Sequence, residues 1–325
     1  MQTNCILVSE IGRFEWTRRN LRKLQEDEVL VRVEVTGLCR TDLKIIRHGH
    51  RDLVLPRIPG EEVVGRLAAK GDAVTGFDVD DRVYVYPGIW CGRCTACAQG
   101  AENLCRGMQI MGFHRDGGFA DHLIAPARSL IPVPDALSPD VAVLAEPLSC
   151  CLNALELGGV RSGMRVGIWG AGPAGLLLAR ASRAMGARAV NIEPDERRRV
   201  LAQGIAECKD HRFDVCIVAV GNPTAYAAAL ARMAPRGRLV VFSGLLPGDD
   251  AVAVSLNQLH YHEQTLVGAY GCSYRHGVQA LAWLADGTVA VEDMISHRLP
   301  LNRLDHALHL VERRESVKIL LYPEI

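Results

Sequence analysis

The sequence predicts an α/β protein of two domains, one β-rich and the other a doubly wound parallel sheet. Three observations predict it. The chain has 325 residues, more than one ordinary core accommodates. Its first 140 or so residues are short β segments punctuated by Gly and Pro. From Met164 onward strands alternate with helices, the pattern of a parallel sheet covered on both faces.

In order, VLVRVEVTG (Val29–Gly37), PGEEVVGRLAAKG (Pro59–Gly71), DRVYVYP (Asp81–Pro87) and FADHLIAPA (Phe119–Ala127) carry strand-like alternation or β-rich runs. At SPDVAVLAEPLSCCLNALELG the period becomes helical, with Ser138 as N-cap. Strands follow at MRVGIWG, ARAVNIE, FDVCIVAVG and GRLVVFSG. Helices AGLLLARASRAMG, DERRRVLAQG and TAYAAALARMAP separate them. From about Gly271 the elements are mixed, ending in the strand VKILLYPEI. No internal repeat or low-complexity tract interrupts this order.

Composition excludes several function classes. Lys+Arg and Asp+Glu balance at 37 each, so no global field draws the chain to nucleic acid or a membrane surface. The N-terminus lacks the pattern of a signal peptide, and no stretch is expected to reach the roughly 20 apolar residues of a membrane span. Eleven cysteines without an export signal point to metal rather than disulfides, and to the cytoplasm.

GIWGAGPAG sets Gly170, Gly172 and Gly175 in a G-x-G-x-x-G array after a strand and at the opening of a helix. Glu193 follows eighteen residues after Gly175, ending the next strand. Dinucleotide binding needs this layout: a tight turn, close backbone approach to the pyrophosphate, and close helix–strand packing. A carboxylate at Glu193 accepts from ribose hydroxyls and repels a 2′-phosphate, favouring NAD over NADP. Arg197, Arg198 and Arg199 read as a solvated helix face.

CGRCTACAQGAENLC supplies Cys91, Cys94, Cys97 and Cys105, four thiolates spaced to close a tetrahedron around Zn²⁺. An iron–sulfur run usually carries Pro after its last Cys, and Arg106 follows here. A four-thiolate zinc has no open position, so this one is structural. A looser constellation is GLCRTDL, with Cys39, Arg40, Thr41 and Asp42 in sequence. Cys39 alone reads as a small buried residue, and Glu146 alone as a helix N-terminal acid. Beside a nicotinamide site, the same residues suit a catalytic metal with a hydroxyl relay. In IPGEEVVG, one of Glu61 and Glu62 must point inward if the segment is a strand, and a buried carboxylate needs a partner.

Together these motifs resemble the zinc-dependent medium-chain dehydrogenase/reductase superfamily, which has a GroES-like catalytic domain and a Rossmann cofactor domain. The resemblance runs nearly end to end, through GLCRTDL, PRIPGEEVVG, the cysteine lobe, GGFADH, LAEPLS, GAGPAG, AVGNP and KILLYP, and LAEPLS is similar to the sorbitol and polyol branch. It implies residues 1–143 and 272–325 in the catalytic domain, a zinc lobe at about 88–108, and 144–271 in the cofactor domain. By the same resemblance Cys39 and Glu146 are catalytic-zinc ligands, Thr41 takes the alcohol proton, and Asp42 supports the site without binding metal. Arg40 and Lys318 contact the pyrophosphate, and Pro173, Ala174 and Gly221 line the cofactor with the three glycines and Glu193. Lys44 stands where many members have the His that ends the proton relay.

Two departures stand out. The family motif is Gly-His-Glu, but Glu61 follows Gly60 here. With Cys39 and Glu146, Glu61 would make a three-anion site, a poorer Lewis acid inclined to harder metals. Glu61 is expected to face inward, with Glu62 opposite as a supporting group or alternate ligand. Secondly, nineteen residues separate Glu193 from Phe213, too few for helix, strand and helix, so the Rossmann half is trimmed by a crossover helix and much of a strand. His48, His50, His260 and His262 read as surface or packing residues, and Cys150 and Cys151 as small core residues. The expectation is an NAD-dependent alcohol or polyol dehydrogenase with one structural and one catalytic zinc, a small-molecule alcohol or carbonyl substrate and a homodimer or homotetramer joined at the cofactor-domain sheet edge. The alternatives are an oxidoreductase of this fold with a lost catalytic metal, where Glu61 or Glu62 acts as acid/base, and a non-catalytic nucleotide-binding protein.

Overall fold

A computed structural model describes residues 1–205, 211–246 and 248–323. Strands β1 (Gln2–Glu10) and β2 (Arg13–Asn20) form an antiparallel hairpin, followed by β3 (Glu28–Leu38), α1 (Arg40–His48), β4 (Glu62–Lys70) and β5 (Arg82–Val85). A short ribbon, β6 (Gly88–Ile89) with β7 (Gln109–Ile110), encloses α2 (Thr95–Ala98). Then come β8 (His122–Pro126), β9 (Leu130–Pro132), α3 (Pro139–Ala142) and α4 (Ala145–Gly158). Next are β10 (Arg165–Trp169), α5 (Pro173–Ala184), β11 (Arg188–Ile192), α6 (Glu196–Ala202) and β12 (Phe213–Val218). After these run α7 (Pro223–Leu230), β13 (Met233–Val241), α8 (Leu256–His262) and β14 (Thr265–Gly268). The chain closes with α9 (Tyr274–Ala285), β15 (Ile295–Pro300), α10 (Leu304–Glu312) and β16 (Lys318–Tyr322).

The chain divides into two compact units. The first comprises Met1–Glu146, Ser273–Gly287 and Val291–Ile325, and the second Pro147–Cys272 with Thr288–Ala290. In the first, a seven-stranded sheet runs β15-β16-β3-β4-β5-β9, with β8 also paired to β3. Val29, Val31 and Val33 of β3 meet Val63 and Leu67 of β4 in one core cluster. Ile46 of α1 and Leu304 and Leu308 of α10 cover Leu38, Ile319 and Leu321 in another. Strand β4 is covered on both sides: Glu62, Val63, Val64 and Gly65 are all buried.

The second unit is a five-stranded, all-parallel sheet in the order β11-β10-β12-β13-β14. That is the doubly wound dinucleotide-binding order without its third strand. The expected trimming is therefore visible. Ile205 makes a single parallel bridge to Ile192, all that the described residues retain of that strand. The rest of the shortened connection, residues 206–210, lies outside the described residues, as does the end of the VKILLYPEI segment.

Three local readings are corrected. The segment TAYAAALARMAP is helical only to Leu230, and β13 begins at Met233. Met233 pairs with Phe213 and is buried, so sheet pairing overrides the alanine-rich helical pattern. The hairpin β1–β2 escapes the alternation search because β2 carries three arginines and an exposed face. The helical stretch Pro139–Gly158 is, by length and composition, apolar enough to cross a membrane, but 78% of its apolar 18-residue window is buried inside the protein, as in a core helix.

Candidate functional site

In the second unit the Gly-rich turn leads from β10 into α5, with Gly172 as N-cap and Pro173 in the first turn. A Cβ at Gly175 would lie 2.2 Å from the Gly170 carbonyl oxygen, so helix and turn approach as only glycine permits. Over Gly172 the space is open, the nearest atom to a Cβ being Arg198 Nη1 at 3.9 Å. An open, glycine-faced helix N-terminus is the cradle a pyrophosphate requires. Sequence reasoning missed Asn191, whose buried amide donates to the carbonyls of Gly170 (2.9 Å) and Gly175 (3.0 Å) and fixes the turn. Its position on β11 beside the turn was the available signal. Glu193 accepts from the backbone N–H of Ala171 (2.8 Å) and of Asp195 (3.0 Å). Arg199 donates to the carbonyls of Glu193 and Pro194, so it is not simply a solvated side chain.

In the first unit, Cys91, Cys94, Cys97 and Cys105 place their sulfurs within 4.8 Å of one another. The Cys94–Cys97 and Cys91–Cys97 separations are 3.5 and 4.0 Å. Four thiolates at 2.3 Å around tetrahedral zinc stand about 3.8 Å apart, so the lobe fits the ion. Cys105 Sγ accepts from the backbone N–H groups of Cys91 and Gly107, both at 3.3 Å. The backbone N–H of Cys97 holds the Cys94 thiol down to about 6, readying it as a thiolate. Glu102 in the lobe accepts from the Tyr274 backbone N–H at 2.7 Å, at the start of α9. Trp90 packs between Tyr86 and Tyr274, with the Arg128 guanidinium 5.4 Å above its ring.

The looser constellation gathers at the start of α1. Cys39 is its N-cap and accepts from Thr41 N–H at 3.4 Å. Both Asp42 oxygens are used, one by the backbone N–H of Cys39 (2.8 Å) and one by that of Gly60 (3.2 Å). Asp42 thereby ties the thiol-bearing turn to the segment that carries Glu61. Burial pushes its carboxyl up to about 7 against the pull of those N–H groups. The Cys39 thiol is pushed up by burial and then by the Glu62 charge; Asp42 and Glu146 add to this, while Lys318 opposes it. Arg40 is exposed at the first position of α1.

The two adjacent glutamates differ from expectation. Glu62 is the fully buried one, and it forms an ion pair with Lys318. Glu61 is half-buried, its Cγ lying 3.5 Å from where a Cβ on Gly112 would sit. With β4 covered on both sides, strand alternation cannot decide which glutamate is buried. Lys318, 2% exposed, also donates to the Leu38 carbonyl at 3.3 Å. Burial disfavours its charge, but Glu62 and Cys39 outweigh this and raise its pKa. Glu146 is buried in the first turn of α4. A thiolate with carboxylates is a donor set that suits zinc. Cys39, Glu61 and Glu146 do not, however, form a trio with all ligand atoms within 4.8 Å among the described residues.

A Gly-rich turn on a doubly wound sheet, together with a cysteine lobe on a β-rich unit, defines a metal-containing dinucleotide-dependent oxidoreductase. Residues 25–135 match the model of the alcohol dehydrogenase GroES-like domain, and residues 173–286 that of the zinc-binding dehydrogenase. The D-altritol 5-dehydrogenase of Agrobacterium fabrum is 32% identical over 93% of this chain and 94% of its own. The sorbitol dehydrogenase of Bacillus subtilis is 30% identical over 92% and 91%. Among solved structures, a putative zinc-binding dehydrogenase from Sinorhizobium meliloti bound to NADP superposes with a TM-score of 0.92. It is 27% identical, over 99% of this chain and 100% of that one. The chain belongs to the zinc-dependent medium-chain dehydrogenase superfamily. It is an oxidoreductase that acts on small-molecule alcohols with a nicotinamide cofactor.

Proposed function

We propose that the protein is an NAD-dependent polyol dehydrogenase of the cytoplasm. The observation that carries this reading is the Asp42 clamp, which joins the Cys39–Thr41 turn to Gly60 and Glu61 through two backbone hydrogen bonds. Polyol activity is supported by the altritol and sorbitol dehydrogenases among the relatives. NAD is favoured by the buried Glu193 carboxylate at the end of β11, which faces the Gly-rich turn and would repel a 2′-phosphate. A metal held by Cys39, Glu61 and Glu146 would supply polarisation of the alcohol oxygen. A nicotinamide held at the Gly-rich turn would supply the hydride acceptor, and Thr41 would take the proton of the alcohol hydroxyl. Arg198, reaching over Gly172, contributes positive charge where the pyrophosphate docks.

The spread of Cys39, Glu61 and Glu146 favours one second reading, the same reaction class with no resident catalytic metal and Glu61 as the acid/base. Glu62 is unsuited to that role because it is enclosed with Lys318. A homodimer or homotetramer is proposed for the assembly; Leu266 on edge strand β14 and Leu256 and Tyr261 on α8 are exposed apolar side chains that support it.

Metal content and cofactor reduction test these readings together. About two zinc ions per chain, reduction of NAD in preference to NADP with a panel of polyols, and a loss of roughly 10²–10⁴ in kcat for Thr41→Ala are expected. One zinc that survives dialysis, with activity intact, would replace the first reading by the second. Cofactor binding without turnover on any alcohol would sink both.

A further inference from the structure

Helix α4 turns one face towards the segment that follows β14. Glu146, Ser149, Cys150 and Asn153 share that face by helical spacing. The Asn153 amide donates to the carbonyls of Gly271 (2.8 Å) and Tyr270 (3.4 Å), and the Ser149 hydroxyl donates to Cys272 Sγ at 2.9 Å. All these contacts lie within the second unit, and they fix Cys272 against the helix.

On that face a Glu146 carboxylate oxygen, Cys150 Sγ and Cys272 Sγ all lie within 4.8 Å of one another. Around tetrahedral zinc, sulfur and oxygen ligands stand roughly 3.5–3.8 Å apart. Side-chain rotation has to close the group by no more than about 1.3 Å to reach that spacing. The two adjacent cysteines therefore differ. Cys151 is fully buried and donates to the Ala174 carbonyl at 3.6 Å, the small core residue that the sequence suggests. Cys150 is half-buried and belongs to the donor group.

Donor chemistry selects the ion. Mg²⁺ and Ca²⁺ take oxygen ligands, whereas two thiolates with one carboxylate suit zinc and leave its fourth position open. The Ser149 hydroxyl favours Cys272 as a thiolate, because a bonded donor stabilises a charged acceptor. Glu146 and Cys272 are 8% and 5% exposed, so a divalent cation also offsets the cost of gathering anionic donors away from water. Cys39 and Glu61 do not join this group at that spacing among the described residues.

We propose that Glu146, Cys150 and Cys272 bind a thiophilic divalent cation of the zinc class, as the second metal site of this chain. Where the reading above places a metal on Cys39, Glu61 and Glu146, this assignment keeps Glu146 and exchanges the other two ligands. It is tested without turnover, so it and the dehydrogenase reading can each fail alone.

The test measures zinc content, then removes labile zinc by chelation under a phosphine reductant and titrates in Co²⁺. Thiolate-to-cobalt charge transfer in the near ultraviolet reports sulfur ligation. Wild type is expected to hold about two zinc ions per chain, one in the cysteine lobe and one here. Cys150→Ser with Cys272→Ser should lose about one of them and the charge transfer of the second site. Cys39→Ser should keep both. A second ion that persists with its charge transfer in Cys150→Ser with Cys272→Ser, or that is lost in Cys39→Ser, overturns the proposal. So does a wild type that binds only the lobe ion. A measurement on the unaltered chain guards against misfolded variants. Iodoacetamide labelling, mapped by mass spectrometry at one and at two zinc ions per chain, should show Cys150 slowed roughly tenfold or more by the second ion, since a metal-bound thiolate is withdrawn from reaction. Cys39 should label equally in both states, with the lobe cysteines protected throughout. Equal labelling of Cys150 in the two states overturns the site.

Discussion

Glu62 and Lys318 close an ion pair beside the Cα of Gly37, with 0% and 2% of their side chains exposed. Gly37 stands opposite Glu62 on one neighbouring strand and opposite Leu320 on the other. A Cβ at Gly37 would lie 1.9 Å from Glu62 Oε2 and 3.0 Å from Lys318 Cε, so the glycine is the space the pair occupies. Desolvating both charges is costly, and a buried pair is worth little over an apolar replacement, but stranding one partner is severe. Lys318→Met is expected to cost about 3–5 kcal/mol in urea unfolding, and Gly37→Ala to destabilise by displacing the carboxylate. Glu62→Leu combined with Lys318→Met should recover much of the loss. A double variant no more stable than Lys318→Met alone would show that the pair is not the source of the effect.

Gly175→Ala tests the cofactor turn. The added methyl meets the Gly170 carbonyl, and relief requires helix α5 to move away from β10. Nicotinamide cofactor affinity should fall by tenfold or more, roughly 1.4 kcal/mol, measured by quenching of tryptophan fluorescence. Gly172→Ala has open space around its Cβ in the free protein, yet intrudes on the face the pyrophosphate needs. It should therefore weaken cofactor binding with little change in unfolding free energy. Unchanged affinity in both variants would exclude this turn as the pyrophosphate site.

The parts legible in the sequence were those in which spacing itself is the chemistry. Four cysteines in C-x2-C-x2-C-x7-C order can converge only in a compact lobe, and they do. The count from Glu193 to Phe213 showed a missing strand because a crossover needs a minimum length of chain. Choices set by long-range packing were not legible. Strand alternation could not say which of Glu61 and Glu62 is buried, because β4 has neighbours on both faces and the deciding partner, Lys318, lies 256 residues away. Asn191 looked like an ordinary strand residue until the turn was folded against it. The β1–β2 hairpin hid behind charge, since β1 buries Cys5, Ile6 and Val8 in the core while β2, on the outside of the ribbon, needs no apolar face.

The cysteine lobe makes a prediction about stability rather than turnover. Cys97→Ser should lose one zinc per chain and lower the thermal midpoint, and Glu102→Gln should lower it without losing zinc. Glu102 is joined to the Tyr274 N–H in the first turn of α9, so its charge acts on that helix end and not on the metal. A charge at a partly buried helix terminus is worth about 0.3–2 kcal/mol. Zinc stoichiometry measured alongside calorimetric melting separates the two effects, and loss of zinc from Glu102→Gln would contradict this division.

Acid stability should carry the signature of Glu28. Its carboxylate, 3% exposed, takes Arg22 on one side and Arg115 on the other, and the Arg22 contact leads in holding its pKa at about 2, against an ordinary 4.5. A carboxyl depressed in the folded state contributes its full stabilisation above the unfolded value, near 4.5, and loses it as the pH falls through about 2. The shift corresponds to at most about 3 kcal/mol, reduced by solvent screening because Arg22 is half-exposed. Glu28→Gln removes that titration. Measured by urea unfolding from pH 7 to pH 2, the variant should be less stable at neutral pH by about 2–3 kcal/mol and should converge on the wild type below pH 4.5. Glu34, lowered by Arg82 and Arg66 against its own burial, titrates in the same direction in both proteins, so it cancels in the difference. A difference that stays constant across the whole range would mean that Glu28 acts by packing rather than by charge.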